Sequence, residues 1–163
     1  MKARVLAFGV AALAVVAAPA LADHGKAGLW AVTVTVQGAP PPSPEAIAQM
    51  KANGIEVSGP NSMTVPRCMT QAEVSADKPI PMRQAEGCTM RNMQASGSTI
   101  TAETVCQSPD VSGGGHFSMT YDPSNTRYTG QMTFSGLSHG HPVTMTNTFD
   151  AKWVRADCGN IGH

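Results

Sequence analysis

The segment 30–36, Trp-Ala-Val-Thr-Val-Thr-Val, indicates the fold class because its side chains alternate strictly. The tryptophan and the valines fall on one side of an extended chain, and the alanine and threonines fall on the other. Such alternation is typical of a strand with one buried and one exposed face. The chain after residue 22 is rich in threonine, glycine and valine and poor in leucine, which favours sheet over helix.

Six further strands are predicted along the chain, separated by short connections. They cover 62–68, 87–95, 99–107, 116–121, 128–134 and 143–157. Strands that follow one another with short connections predict an antiparallel meander. We therefore expect a mainly β fold: a single antiparallel, strongly curved sheet or partial barrel of about seven strands, with one or two short helices and two disulfides. The glycine run 112–115 and the stretch 138–142 are expected to be loops.

Two short helices are predicted from their capping residues. Ser43 is a favourable N-cap, Pro44 suits the first helical position, and Gly54 suits the residue after the helix. This helix has a narrow apolar face, so we expect it to lie on the surface. Thr70 and Glu73 have the spacing of a capping box, which predicts a second helix of one to two turns.

The first residues of the chain predict a secretion signal. Lys2 and Arg4 precede an apolar run over 5–18, and Ala-Leu-Ala follows at 20–22. These are the three parts of a cleavable signal peptide, with cleavage expected after Ala22. The apolar run is shorter than the roughly 20 residues that span a bilayer, so we expect no stable membrane insertion after cleavage.

Removal of the signal peptide 1–22 leaves 23–163 as a single β-rich domain, which we expect to be periplasmic or secreted. The whole chain has 11 basic and 11 acidic residues, and loss of Lys2 and Arg4 leaves a small acidic excess. No basic patch is present, so nucleic acid is not an expected partner.

The four cysteines all follow the signal peptide and favour structural disulfides over chemistry. They are Cys68, Cys88, Cys106 and Cys158. No two of them have the Cys-x-x-Cys spacing of a redox site or the close pairs of a zinc cluster. Four cysteines allow three pairings.

The hairpin predicted around Gly97 narrows these pairings. Cys88 and Cys106 each lie nine residues from Gly97. If Ala95 pairs with Thr99, Cys88 falls directly opposite Cys106, where cross-strand Cβ atoms are close enough to bridge. The other two cysteines would then pair, Cys68 with Cys158, and tie an early strand to the last one.

Histidines and methionines suggest a metal site as one hypothesis. His139 and His141 form the most compact pair of ligand-type residues, and His116 is a possible third ligand. His24 would be the second residue after cleavage, where the new α-amino group could help to capture copper. Methionine thioethers suit Cu(I). The alternative is that methionines fill the core and the histidines decorate loops.

Apolar strand residues suggest the other binding hypothesis. One face of the sheet is expected to carry Phe117, Met119, Tyr121, Met132, Phe134, Met145 and Phe149. This face could enclose an apolar small ligand or dock another envelope protein, or it could simply fill the core. No nucleophile elbow or phosphate loop is present. We expect no enzyme activity and no cofactor, with an unrecognised catalytic site as the remaining alternative.

An ordered set of motifs resembles a known family. In order they are Gly28-Leu29-Trp30, Cys68-Met69-Thr70, the sequence Tyr-Thr-Gly-Gln-Met-Thr at 128–133, Trp153 and Cys158. With the signal peptide and two further cysteines between them, they resemble the bacterial domain of unknown function 3617 family over nearly the whole mature chain. The resemblance implies export and a β-rich domain, and it implies no activity and no catalytic residues. Departures are Ala31, where an acidic residue is common, and 155–157, where a glycine is common.

Overall fold

Eight antiparallel strands form one sheet that does not close into a barrel. The structure is a computed structural model that describes residues 24–38, 41–75 and 87–161, so the predicted signal peptide lies outside the described residues. The strands are β1 Gly28–Gln37, β2 Glu56–Gly59, β3 Ser62–Met69, β4 Cys88–Ser96, β5 Thr99–Gln107, β6 Val111–Tyr121, β7 Arg127–Ser138 and β8 His141–Arg155. Their order across the sheet is β2-β3-β1-β8-β7-β6-β5-β4. The predicted fold class is confirmed, with eight strands where about seven were expected.

The additional strand is β2, which has four residues and pairs with the start of β3 at one edge of the sheet. Gly54 and Pro60 flank it, and such residues are typical of loops. A strand this short carries too little alternation to be recognised from sequence, so its pairing with β3 is what defines it.

The glycine run belongs to strand β6, and the prediction that 112–115 is a loop is wrong. Gly113 pairs with Gly136, and Gly115 pairs with Phe134 of β7. A Cβ atom built on Gly115 would lie 1.7 Å from the carbonyl oxygen of Thr133. Glycine is therefore required here because the two backbones approach each other too closely for any side chain, as happens where strands bend.

In the β4–β5 hairpin Cys88 pairs with Cys106 as predicted, but the strand register near the turn differs from the predicted one. Ala95 pairs with Ile100 instead of Thr99, which shifts the turn by one residue. A bulge between Arg91 and Gln94 restores the register. Within it, Asn92 has a φ of 51°, and its amide donates a hydrogen bond to the Glu103 carboxylate at 2.7 Å.

Both disulfides have the predicted connectivity. Cys88 is bonded to Cys106, directly across the β4–β5 ladder, and their Cα atoms are 3.9 Å apart. Cys68 is bonded to Cys158, with Cα atoms 5.5 Å apart and a sequence separation of 90. The second bond ties β3 to the segment after β8.

The β7–β8 connection is shorter than the predicted loop 138–142. Strand β7 continues to Ser138 and β8 begins at His141, which leaves only His139 and Gly140 in the turn. Both have positive φ, 49° and 80°, as two-residue hairpin turns favour.

The helices lie where the capping residues predict. Helix α1 spans Pro44–Ala52, and the Ser43 hydroxyl accepts a hydrogen bond from the Ala46 amide at 3.2 Å. Helix α2 spans Gln71–Ser75. The Thr70 amide donates to the Glu73 carboxylate at 2.7 Å, and the Glu73 amide donates to the Thr70 hydroxyl at 3.2 Å, which completes the capping box.

The sheet curves strongly toward the face that we call the inner face, which carries Trp30, Tyr121, Tyr128 and Phe149. Trp30 on β1 and Tyr121 on β6 are separated by three strand spacings, about 14 Å in a flat sheet. Their ring centroids are only 6.3 Å apart, in an edge-to-face arrangement. The rings can meet only because the sheet bends around them, so the curvature itself creates the core.

Residues 24–27, here called the N-terminal strap, cover one end of this core. The His24 ring nitrogen Nε2 lies 2.8 Å from the carbonyl oxygen of Gly97 in the β4–β5 turn. The Trp30 indole donates to the Lys26 carbonyl at 2.9 Å, and the Trp153 indole donates to the Ala27 carbonyl at 3.0 Å. We call this end of the inner face, around Trp30, the closed end.

Candidate ligand pocket

The seven apolar residues predicted to line a ligand cavity share the inner face, on strands β6, β7 and β8. Five of them are buried, with exposed fractions between 2% and 6%: Phe117, Met119, Tyr121, Phe134 and Phe149. Met132 and Met145 are half-buried. The ring centroids of Phe117 and Phe149 are 6.2 Å apart. These five side chains pack in the core, which is the alternative to a ligand cavity that the sequence left open.

The histidines do not form a ligand set in the described part of the chain. His139 lies in the β7–β8 turn, His141 is the first residue of β8, and both are exposed. The Nδ1 atom of His139 is 3.5 Å from the Asp110 carboxylate. His116 lies opposite Thr133 on β7. Thr133 is six residues before His139, so His116 and His139 are about 20 Å apart along the strand direction. Within 24–38, 41–75 and 87–161, no three His, Cys, Asp or Glu residues are grouped to hold a metal ion.

His24 lies against the aromatic core, and the α-amino group that would complete a copper site lies outside the described residues. It is 5% exposed, contacts Gly97 through Nε2, and packs against the Tyr121 ring at a centroid distance of 5.7 Å. The sequence placed this residue beside the predicted mature N-terminus. It could not show that the ring folds back onto the aromatic core, because that contact crosses five strands of the sheet.

An apolar cavity of about 170 Å³ lies at the other end of the inner face, partly open to solvent. Val36, near the end of β1, forms one wall, and Val57 and Met63 form another on β2 and β3. Val57 and Met63 are cross-strand partners, and Met63 also pairs with Val34. Their side chains therefore continue the inner face beyond the core, and we call this the open end.

Helix α1 covers the cavity from the side opposite the sheet. Met50 in its last turn lines the cavity, together with Pro42 from the segment before the helix. The Ile55 amide donates to the Met50 carbonyl at 3.0 Å, which holds the helix end next to the start of β2. The cavity is thus a gap between a helix and a sheet edge.

Two polar residues give the cavity a hydrogen-bonding rim. The Ser62 hydroxyl accepts a hydrogen bond from the Thr35 hydroxyl at 3.2 Å. Asn61 accepts from the Val36 amide at 2.8 Å through its backbone carbonyl, whereas its side-chain amide has no hydrogen-bond partner among the described residues. No ionisable side chain belongs to the described lining. The cavity therefore offers apolar walls, one satisfied hydroxyl and one available amide, the usual composition of a small-molecule site.

A buried polar atom lies next to this cavity. Asn147 on β8 is the cross-strand partner of Val36 and also faces Met132. Its Oδ1 is buried and has no hydrogen-bond partner in the described part of the protein. A buried carbonyl oxygen without a hydrogen-bond partner destabilises the folded state. Within the described residues, the apolar surface at the open end therefore includes one unsatisfied polar atom.

The opposite, outer face of the sheet is polar and largely satisfied by its own side chains. Threonine hydroxyls pair across strands, as between Thr33 and Thr64 at 2.9 Å. Arg127 donates two hydrogen bonds to Asp150, at 3.1 and 2.7 Å, which holds the pKa of Asp150 below its usual value. On the inner face, by contrast, burial raises the pKa of Tyr128 well above its usual value.

The fold and the pocket define a disulfide-bonded, open antiparallel half-barrel with a small apolar cavity under a helix. The chain belongs to the protein family of unknown function DUF3617, whose family model matches residues 25–158. No curated protein and no solved structure matches it. Neither helix in the described residues is long and apolar enough to cross a membrane.

The sequence indicated the cavity only weakly. Val57 lies in a strand of four residues, and Met50 is one of few apolar residues in α1. The available signal was a narrow apolar stripe on a short helix beside a proline-rich segment. That stripe predicts a surface helix, and it does not reveal that the helix leaves a gap beneath it.

Proposed function

We propose that this protein is an exported, non-catalytic binding protein whose ligand is a small uncharged amphiphile with an unbranched alkyl chain. The chain would occupy the cavity between Met50 of α1 and the strand residues Val36, Val57 and Met63. A hydroxyl or amide head group would hydrogen-bond to the Asn61 amide at the rim. The apolar cavity of about 170 Å³ is the observation that carries this proposal.

The dimensions and chemistry of the cavity support this ligand class. An engineered apolar cavity of about 150 Å³ holds benzene, so a cavity of this size suits about six carbon atoms. Met50 and Met63 have flexible, polarisable side chains that adapt to a linear chain. The described lining has no charge, which favours an uncharged head group over a carboxylate or an ammonium.

Export is supported by the sequence and by the cysteines. The predicted signal peptide precedes a domain whose four cysteines are all in disulfides, and such bonds persist in oxidising compartments. A non-catalytic role is supported by the cavity, since its described lining supplies no acid, base or nucleophile apart from the Ser62 hydroxyl.

Methyl NMR of the oxidised mature protein tests the proposal directly. The protein is labelled with [¹³C]methyl-methionine and titrated with straight-chain alcohols from 1-butanol to 1-decanol. We expect the methyl signals of Met50 and Met63 to shift saturably, with the tightest binding near hexanol to octanol. The signals of Met69 and Met119, which are 1% and 2% exposed in the core, should stay in place.

A cavity-filling variant separates specific binding from adsorption. Val57→Phe places a ring in the cavity and should weaken octanol binding at least tenfold, whereas Val154→Phe is the matched control because Val154 is 51% exposed and lies outside the cavity. Equal affinity in both variants, or no shift at Met50 and Met63 with any alcohol, would overturn the small-ligand proposal. Native mass spectrometry of the exported protein would then decide whether the same surface retains a partner protein.

A further inference from the structure

Helix α1 is well capped but poorly packed. Ser43 caps its first turn, and the Gly54 amide closes its last turn by donating to the Lys51 carbonyl at 3.0 Å. None of its side chains is buried; Ile47 and Met50 are only half-buried. The capping hydrogen bonds at its two ends therefore contribute more to the stability of α1 than the packing of its side chains.

This arrangement is unusual because helices of nine residues are marginal in water and most of their stability comes from tertiary packing. The main neighbour of α1 is β2, an edge strand of four residues whose pairing with β3 is irregular between Val57 and Gly59. Helix α1 and strand β2 therefore both have few stabilising contacts with the rest of the domain.

Helix α2 provides a comparison within the same chain. It has only five residues, yet Val74 is 2% exposed and belongs to the core cluster. Its capping box is complete. Helix α2 is anchored by a buried side chain, whereas the equivalent space beneath α1 is the cavity.

We propose that α1 is a ligand-dependent lid: an alkyl chain in the cavity completes its packing, so ligand binding and the closed, helical state of α1 stabilise each other. This inference rests on the proposed function and adds a conformational consequence to it. A ligand that contacts both Met50 and the sheet binds the closed state better than the open state, and it must shift that equilibrium by the same factor.

Hydrogen exchange on the oxidised mature protein, with and without saturating 1-octanol, tests the lid. The amides of 48–52 should exchange at least fivefold more slowly with octanol. The Val74 amide, which bonds to the Thr70 carbonyl at 3.2 Å, should not change. If octanol shifts the Met63 methyl signal but leaves exchange in α1 unchanged, the lid is wrong and the binding proposal stands. If Met63 does not shift, the binding proposal itself fails.

A helix-weakening variant gives an independent measurement. Ala48 is exposed in the middle of α1, and Ala48→Gly should weaken octanol binding about fivefold, because glycine lowers helix stability without touching the cavity. Ala72→Gly in α2 is the matched control and should leave octanol affinity unchanged. Unchanged affinity in Ala48→Gly, with Met63 still responding, would also overturn the lid.

Discussion

The closed end and the open end of the inner face share strands β1 and β3 but are covered in different ways. At the closed end, the N-terminal strap binds two indoles through backbone carbonyls, and Trp30 is 0% exposed. At the open end, β1 continues to Val36, and the cover is a helix without a buried side chain. Backbone carbonyls that accept hydrogen bonds from two indoles hold one cover, whereas the other cover contacts the sheet edge across a gap.

This difference is the basis for our proposal that the closed end supplies stability and the open end supplies the ligand site. Local stability within a protein varies from near zero to the global value, and binding elements come from the low end of that range. Substitutions at the two ends, in the glycine run and on the outer face test this division.

Loss of the closed-end disulfide should cost the most stability. The Cys68–Cys158 bond closes a loop with a sequence separation of 90, against 18 for Cys88–Cys106. The chain-entropy relation gives about 4.6 kcal/mol for the long loop and about 3.2 kcal/mol for the short one. Urea unfolding of the two double alanine variants measures the order, and an equal or reversed order would contradict the assignment of stability to the closed end.

Trp30→Ala should lower the free energy of unfolding by about 4 kcal/mol, because it empties the centre of the core and removes the hydrogen bond to Lys26. Met63→Ala is the comparison at the open end. It should cost only about 1 kcal/mol, since Met63 is half-buried beside an existing cavity. Chemical denaturation of both variants gives the two values, and similar losses would mean that the ends do not differ.

Gly115→Ala should cost about 2–3 kcal/mol because its Cβ would overlap the Thr133 carbonyl and force the β6–β7 ladder apart. Gly114→Ala is the matched control, since its Cβ would lie 3.3 Å from the nearest backbone oxygen, that of Thr104. Thermal unfolding compares the two. Equal and small losses would indicate that the glycine run is a loop, as its sequence suggested.

The sequence predicted those features that depend on local patterns. Alternation identified β1, capping residues identified both helices, and the symmetry of Cys88 and Cys106 about Gly97 identified a disulfide. That last prediction succeeded although the pairing of Ala95 was wrong by one residue, because the bulge at Asn92 compensates. A cross-strand pair can be correct when the intervening register is not.

The features that escaped prediction depend on contacts between distant strands. The approach of Trp30 and Tyr121 arises from curvature across four strands, which no local pattern encodes. The same holds for His24, whose partner Gly97 is 73 residues away. The cavity under α1 depends on the distance between a helix and a sheet edge, so its lining could not be predicted from the apolar residues that fill the core.

Asp150→Asn should have the smallest effect, and the effect should depend on pH. Asp150 lies on the outer face, paired with Arg127, and both side chains are about half exposed, so the pair contributes little. Because Arg127 lowers the pKa of Asp150 from its usual 3.8, the carboxylate stabilises the fold above that pH, and its contribution is lost as the pH falls through the lower folded value. The variant should therefore unfold slightly more easily than the parent at pH 7, and the difference should shrink as the pH falls below 3.8. Thermal melts across this range measure the convergence; a constant difference would show that the pair does not act through its charge, and a large one would move part of the stability to the outer face.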